Sequence, residues 1–232
     1  MSSIDALVNR QLLRWERRAK ETEEEEAAVP PPPQVVTVSR QAGSRGAFFA
    51  QRLAEELGFQ RLHREAIEAI SKTSGYRSRI VEALDERYRN DVEVLAESLV
   101  SGQTVDHRDY YRHLFEVVLS MARLGGVVLV GRAGNFILGP LRGFHIRVIA
   151  PRQQRIANLM RYKEYSEKQA IEEMEFADGE RMEMMAKLFK ADIEDPSHYD
   201  LVINMASLDL EAMIPPTVAA IKTKFARLAD AG

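Results

Sequence analysis

The chain has 232 residues, 45% of them hydrophobic, enough for one full α/β domain with additions at its edge. Its 32 Lys and Arg against 35 Asp and Glu leave a net charge of −3, so no global field draws nucleic acid or an anionic membrane. There is no cysteine, which removes disulfides, thiolate metal sites and a cysteine nucleophile together. No apolar run approaches the roughly 18 residues of a membrane span, and the start lacks the apolar core of a secretory signal, so a cytoplasmic protein is expected.

In chain order, residues 3 to about 26 read as a helix. Ile4, Leu7, Val8, Leu12 and Trp15 share one stripe, and the segment ends in Glu23-Glu24-Glu25-Glu26. A lone helix of this length is marginal in water, so the stripe needs cover. Either it docks on the chain's own domain, or it takes a partner protein or a second copy as a homodimer. Pro30 to Pro33 form a stiff linker, which separates residues 1–33 from a globular domain over 34–232.

Val35–Ser39 reads as a central strand. A helix over Ala47–Leu57 follows, with Phe48, Phe49, Leu53 and Leu57 inward and Gly58 just past its end. Phe59–Leu62 is a short strand and Arg64–Thr73 a helix closed by Ser74-Gly75. Residues 76–124 carry no strand signal and divide into helices near 77–87, 91–101 and 108–124, the last two separated by Ser101–Asp106. Their arginines, Arg77, Arg79, Arg87, Arg89, Arg108, Arg112 and Arg123, read either as solvated helix faces or as one or two reaching a substrate phosphate.

Gly125-Gly126 ends the last of these helices. Val127–Gly131 is the most strand-like run and reads as a buried parallel strand. Phe144–Ala150 is another strand, and Pro151 opens the helix behind it. Ser166-Glu167-Lys168-Gln169 is a capping box. The helix it starts reaches about Lys190, either unbroken or interrupted near Asp178-Gly179. Asp192–Tyr199 is a polar turn and Leu201–Asn204 the last strand. The closing helix, to about Leu228, is expected to start or bend at Pro215-Pro216 because proline lacks the N–H a helix interior needs.

Strands alternating with helices predict an α/β fold, a parallel sheet wrapped on both faces, with ligands at the carboxyl ends of the strands. The loops to inspect are Arg40–Gly46 and Gly131–Asn135, with those after Ala150 and Asn204. The first is a strand, a glycine-bearing loop and a helix start, an arrangement that aims backbone N–H groups at a phosphate. It fails the Walker pattern. In one frame Ala47 and Phe48 stand where Lys and Ser/Thr belong; in another, Gly46 replaces the lysine. No HExxH or His/Asp cluster suggests a resident metal.

Three stretches carry a resemblance: Val-Ser-Arg-Gln-Ala-Gly-Ser-Arg-Gly (38–46), Val-Gly-Arg-Ala-Gly-Asn-Phe-Ile-Leu (130–138) and Asp-Pro-Ser-His-Tyr-Asp-Leu-Val-Ile-Asn (195–204). Together they resemble the cytidylate-kinase-like family, a divergent branch of the nucleoside monophosphate kinases, over about residues 35–225. Asp178-Gly179-Glu180-Arg181 resembles its lid. The resemblance implies a P-loop kinase fold with a five-stranded parallel core, an acceptor-binding helical region at 76–124 and a lid region at 163–195. It implies transfer of the ATP γ-phosphate to a nucleoside monophosphate with Mg²⁺.

Gly43, Ser44 and Gly46 match the family's phosphate loop. The family usually has Gly-Ser-Gly-Gly-Arg where this chain has Gly-Ser-Arg-Gly-Ala, so Arg45 is the candidate for the displaced guanidinium. Arg132 matches the family's Gly-Arg and is the candidate for the acceptor phosphate. Arg181 matches a lid arginine, and Arg155 and Arg161 fall near the same lid. His63 stands where the family often has Asp and reads as structural. The Mg²⁺ ion would fall to Ser44, Asp178 or Glu180. Arginines and glycines suit phosphoryl transfer, which needs positioning and charge neutralisation more than covalent chemistry. Two alternatives stay open: a nucleotide-binding sensor or adaptor with little turnover, and a kinase for a non-nucleotide small molecule.

Overall fold

The structure, a computed structural model, describes residues 3–24, 34–84, 86–101, 108–206 and 209–230. The proline linker and most of the 101–106 spacer lie outside the described residues. Five strands form one parallel sheet: β1 (Val35–Arg40), β2 (Gln60–Leu62), β3 (Val127–Val130), β4 (Phe144–Ile149) and β5 (Leu201–Asn204), in the order β2-β3-β1-β4-β5. The helices are α1 (Ser3–Glu24), α2 (Gly46–Leu57), α3 (Arg64–Lys72), α4 (Ser74–Glu82), α5 (Glu86–Val100), α6 (Arg108–Leu124), α7 (Gly134–Leu138), α8 (Arg152–Lys163), α9 (Glu167–Phe189) and α10 (Leu210–Asp230).

The central strands are largely apolar, β3 at every position, because both faces of the sheet are covered. On β1, Val36 and Val38 face a core shared with α2 and α10, while Val35 faces a second core built from α1, α3–α6 and α7. On β3, Val128 and Val130 join the first core and Val127 and Leu129 the second, as the two-residue period of a strand requires. The chain leaves β1 toward β2 on one side of the sheet and leaves β3 toward β4 on the other. The two loops between them therefore open a crevice at the carboxyl ends of β1 and β3.

The stripe on α1 docks on the chain's own helices. Val8, Leu12 and Trp15 are buried among α3, α4 and α6 residues, and Trp15 Nε1 donates to Gly125 O at 3.0 Å. Several boundaries differ from expectation. Phe48 points outward, 51% exposed, and stacks obliquely on Tyr162 of α8 at 5.3 Å between ring centroids. Phe49, Ala50, Leu53 and Ala54 are buried on the inward arc of α2 beyond Gly46, and Leu57 packs half-buried against the same core. Ser74-Gly75 opens α4 instead of ending structure, with Thr73 the joint between α3 and α4. The short α7 was not foreseen.

Helix α9 is continuous through Gly179. Its start is fixed by the capping box, Ser166 Oγ accepting from Gln169 N and the Gln169 side chain accepting from Ser166 N. An interior glycine costs only about 1 kcal/mol against alanine, which burial of Ala170, Met174, Met185 and Leu188 offsets. Helix α10 starts five residues ahead of Pro215 and holds both prolines inside. Pro215, Pro216 and the residues whose carbonyls lose a donor, Glu211 and Ala212, are all exposed, so water takes the place of the missing N–H groups. Leu210, Ile214, Thr217, Ile221 and Phe225 anchor the opposite face.

Candidate active site

The loop after β1 turns through two left-handed residues, Gly43 at φ 75° and Arg45 at φ 64°. Ser44 is buried, and its Oγ donates to Gln41 O at 2.8 Å and accepts from Gly46 N at 3.4 Å. The serine therefore shapes the loop from within. Helix α8 is clamped onto the outside: Arg155 Nε donates to Ala42 O at 2.7 Å and Asn158 Nδ2 to Gly43 O at 2.8 Å. A Cβ on Gly43 would stand 2.3 Å from the Arg155 carbonyl oxygen, a backbone atom that cannot swing aside. Gly43→Ala is expected to cost about 1–3 kcal/mol of stability, through this overlap and the left-handed φ. A chemical-denaturation midpoint unchanged from the wild type would count against the clamp.

The lid residue Asp178, on α9, reaches into the same loop. Its Oδ1 accepts from Ala42 N at 2.9 Å, and its carboxylate pairs with Arg155 and with Arg181. A loop amide and two guanidinium groups thus converge on one carboxylate, a donor set that would equally suit a phosphate oxygen.

The loop after β3 passes through three consecutive left-handed residues: Gly131 at φ 84°, Arg132 at φ 51° and Ala133 at φ 56°. For the last two this costs on the order of 1–2 kcal/mol each. Arg132 is paired with Glu68 of α3, and Arg64 Nε stands 3.9 Å from the same carboxylate.

At the end of β1, beside the loop after β3, is a cavity of about 50 Å³, and no residue of the Gln41–Gly46 loop lines it. Its wall holds four arginines, Arg40, Arg64, Arg132 and Arg181, and no carboxylate. Burial, then the like charge of Arg181, brings the Arg40 guanidinium down to about 10, and burial lowers Arg181 while Asp178 opposes the shift. A wider cleft of about 400 Å³ adjoins it, sharing Arg181 and lined also by Arg147, Arg152, Arg155 and Asp178.

The structure therefore brings Arg132 and Arg181 to one cavity, and Arg155 and Arg181 to the cleft beside it. Arg45 lines neither; it stands at the N-terminus of α2 with its Nε buried and unpartnered. Four arginines that line the cavity or the cleft, Arg40, Arg64, Arg147 and Arg152, are not singled out by the sequence. Arg147 breaks the apolar run of β4, as His145 does, and donates to Ser39 Oγ at 2.8 Å, and that break in pattern is a legible signal. Arg40, the last residue of β1, had no signal beyond its place before the loop.

Apart from Arg87, whose side chain lies outside the described residues, the helical insertion keeps its arginines occupied elsewhere. Arg77 donates to Ser71 O, Arg79 to Asn9, Arg89 to Leu84 O, Arg108 pairs with Glu97, Arg112 with Glu116, and Arg123 lies over the Tyr88 ring. His63 caps α3, its Nδ1 accepting from Ala66 N. Among the described residues no group of three or more His, Cys, Asp or Glu is placed to hold a metal ion. Of the Mg²⁺ candidates, Ser44 is tied to a carbonyl, Asp178 is neutralised by two arginines and Glu180 is exposed on α9, so these side chains as arranged do not fit a protein-held ion.

A glycine-turned loop before a helix, beside a carboxylate-free arginine cavity at the crevice of a parallel sheet, is the equipment of a kinase-type phosphotransferase. The model of the cytidylate kinase-like family matches residues 35–207, and the chain belongs to that family. A cytidylate kinase from Ignicoccus hospitalis is 26% identical over 180 residues, covering 78% of this chain and 94% of that protein. A uronate isomerase from Corynebacterium glutamicum is 32% identical over 136 residues, 58% of this chain; the chain spans only 25% of that relative's length. Among solved structures, an uncharacterized protein from Eubacterium ventriosum superposes with a TM-score of 0.65 at 18% identity, over 82% of this chain and 98% of the other. No helix among the described residues is long and apolar enough to cross a membrane.

Proposed function

We propose that the protein transfers the γ-phosphate of ATP to a nucleoside monophosphate. The observation that carries this reading is the carboxylate-free cavity lined by Arg40, Arg64, Arg132 and Arg181 at the end of β1, beside the loop after β3. Phosphoryl transfer places charge on equatorial oxygens, and planar guanidinium groups meet such oxygens bidentately. In this scheme the α2 N-terminus and the Gly43–Gly46 backbone receive the ATP phosphates. Arg132 holds the acceptor phosphate against the second loop. Arg181 and Arg155 give up part of their contact with Asp178 and turn to the transferring group. The wider cleft leaves room for a nucleoside. The family implies that ATP enters with Mg²⁺.

The test is the purified chain with ATP, Mg²⁺ and a panel of CMP, dCMP, UMP, AMP and GMP, scored for nucleoside diphosphate. Formation of one diphosphate well above the no-acceptor rate is expected. A second reading, a nucleotide sensor with little turnover, is favoured by one observation: Asp178 already occupies the loop amide and both Arg155 and Arg181. ATP binding without a diphosphate from any acceptor would select it.

A further inference from the structure

Arg40 is in an unusual position for a charged group. Its stem passes beside Gly46, where an added Cβ would come within 2.5 Å of Arg40 Cβ. Its guanidinium ends against Gly131, where an added Cβ would stand 2.7 Å from Nη1. Two glycines, one from each phosphate-facing loop, thus make the slot through which this side chain reaches the cavity.

Among the described residues the Arg40 guanidinium has no hydrogen-bond or ion-pair partner. Its neighbours divide differently: Arg132 has Glu68, Arg181 and Arg155 share Asp178, and Arg64 leans toward Glu68. Arg40 instead faces Arg64, Arg132 and Arg181, and Glu65 is the one carboxylate whose charge acts favourably on it. The residue is half-buried, and an unpaired cation held among other cations is costly, so a fold retains such a group where an anion offsets the cost. The cavity has room for a few water-sized spheres, which suits one oxyanion and excludes a nucleoside.

We propose that Arg40 is the fixed cation of this phosphate site, gripping one doubly charged phosphoryl group against the Gly131–Asn135 loop and standing in for the lysine that the loop after β1 lacks. The charge arrives from the end of β1 instead of from the start of α2. Arg45, the nearer candidate by sequence, stays at the helix N-terminus. The proposal rests on the phosphotransferase reading only for what the phosphoryl group is attached to, whether the ATP tail or the acceptor monophosphate.

The test compares the wild-type chain with Arg40→Gln and Arg40→Lys, taking the exposed Lys187→Gln as control. Binding of inorganic pyrophosphate, a non-hydrolysable ATP analogue and CMP is measured by calorimetry, and ligand-free thermal unfolding is followed in parallel. Arg40→Gln is expected to weaken binding of pyrophosphate and of one nucleotide by about 10- to 100-fold. Which nucleotide loses affinity identifies the source of the phosphoryl group. Arg40→Lys falls between, keeping the charge and losing the fork. Without ligand, Arg40→Gln is expected to unfold at a higher temperature than the wild type, because an uncompensated charge has gone. Wild-type binding of none of these anions, affinity within twofold of wild type in Arg40→Gln, or a lower ligand-free melting temperature in that variant would each overturn the assignment. Lost anion binding in Arg40→Gln with no diphosphate formed by the wild type leaves the inference standing and removes the kinase reading. Equal turnover by the two proteins does the reverse.

Discussion

Arg132→Ala is expected to lower kcat/KM for diphosphate formation by on the order of 10²–10³, the usual loss when one preorganised electrostatic contact is removed. Its side chain is only 12% exposed and its backbone is held at φ 51°, so the guanidinium is aimed before substrate arrives. The substitution also takes from Glu68 its closest ion-pair partner, leaving Arg64 at 3.9 Å, and a carboxylate freed beside the cavity would repel a phosphate by that route alone. A double substitution separates the two causes. If Arg132 serves only to neutralise Glu68, then Arg132→Ala with Glu68→Gln removes the freed charge and activity returns. If Arg132 grips the acceptor phosphate, the double variant stays as slow as the single one. Arg132→Lys is expected to recover part of the loss, since charge remains while the bidentate geometry does not. Activity of Arg132→Ala within threefold of wild type would remove the residue from the site.

Trp15→Ala is expected to cost about 3–5 kcal/mol of global stability, the range for deleting a buried large aromatic side chain. Trp15 is 3% exposed and belongs to the larger of the two sheet-facing cores. Trp15→Phe keeps much of the packing and loses the bond to Gly125 O, so about 1 kcal/mol is expected. Trp15 is the only tryptophan in the chain, so its wild-type emission reports directly on whether α1 is docked. Urea titration followed by fluorescence and by circular dichroism checks the point. A single coincident transition is the docked helix; an early fluorescence change with helix content retained, or a cost below about 0.5 kcal/mol in Trp15→Ala, is a helix that contributes nothing to the domain.

Much of the fold could be read because its signals are local. Val127–Val130 is apolar at every position, which only a strand buried on both faces tolerates. Ser166 and Gln169 stand at the spacing of a capping box, and Gly58 takes the left-handed turn after α2 at φ 66°. The misjudged places are those where tertiary burial overrode local preference. Pro215 and Pro216 stay inside α10 because their exposed neighbours are solvated while the far face is anchored. Phe48 faces outward because the loop ahead of α2 sets the rotation of that helix, and Tyr162, 114 positions away, covers it.

The same division runs through the site. Gly43, Gly46, Gly131, Arg132 and Arg181 were visible as residue types at informative positions, because a turn with positive φ calls for glycine and phosphate calls for arginine. Which arginine is free to meet an anion is a relation through space. It depends on β1 lying beside β3, with Val38 opposite Val130, so that Arg40 ends against Gly131. It depends equally on α3 bringing Glu68 to Arg132, and on α9 bringing Asp178 to Arg155 and Arg181. Local pattern specifies strands, helix starts and turns because backbone sterics and burial act within a few residues. The assignment of charges to partners waits for packing, because Coulomb interactions pair groups by distance and dielectric, without regard to their order along the chain.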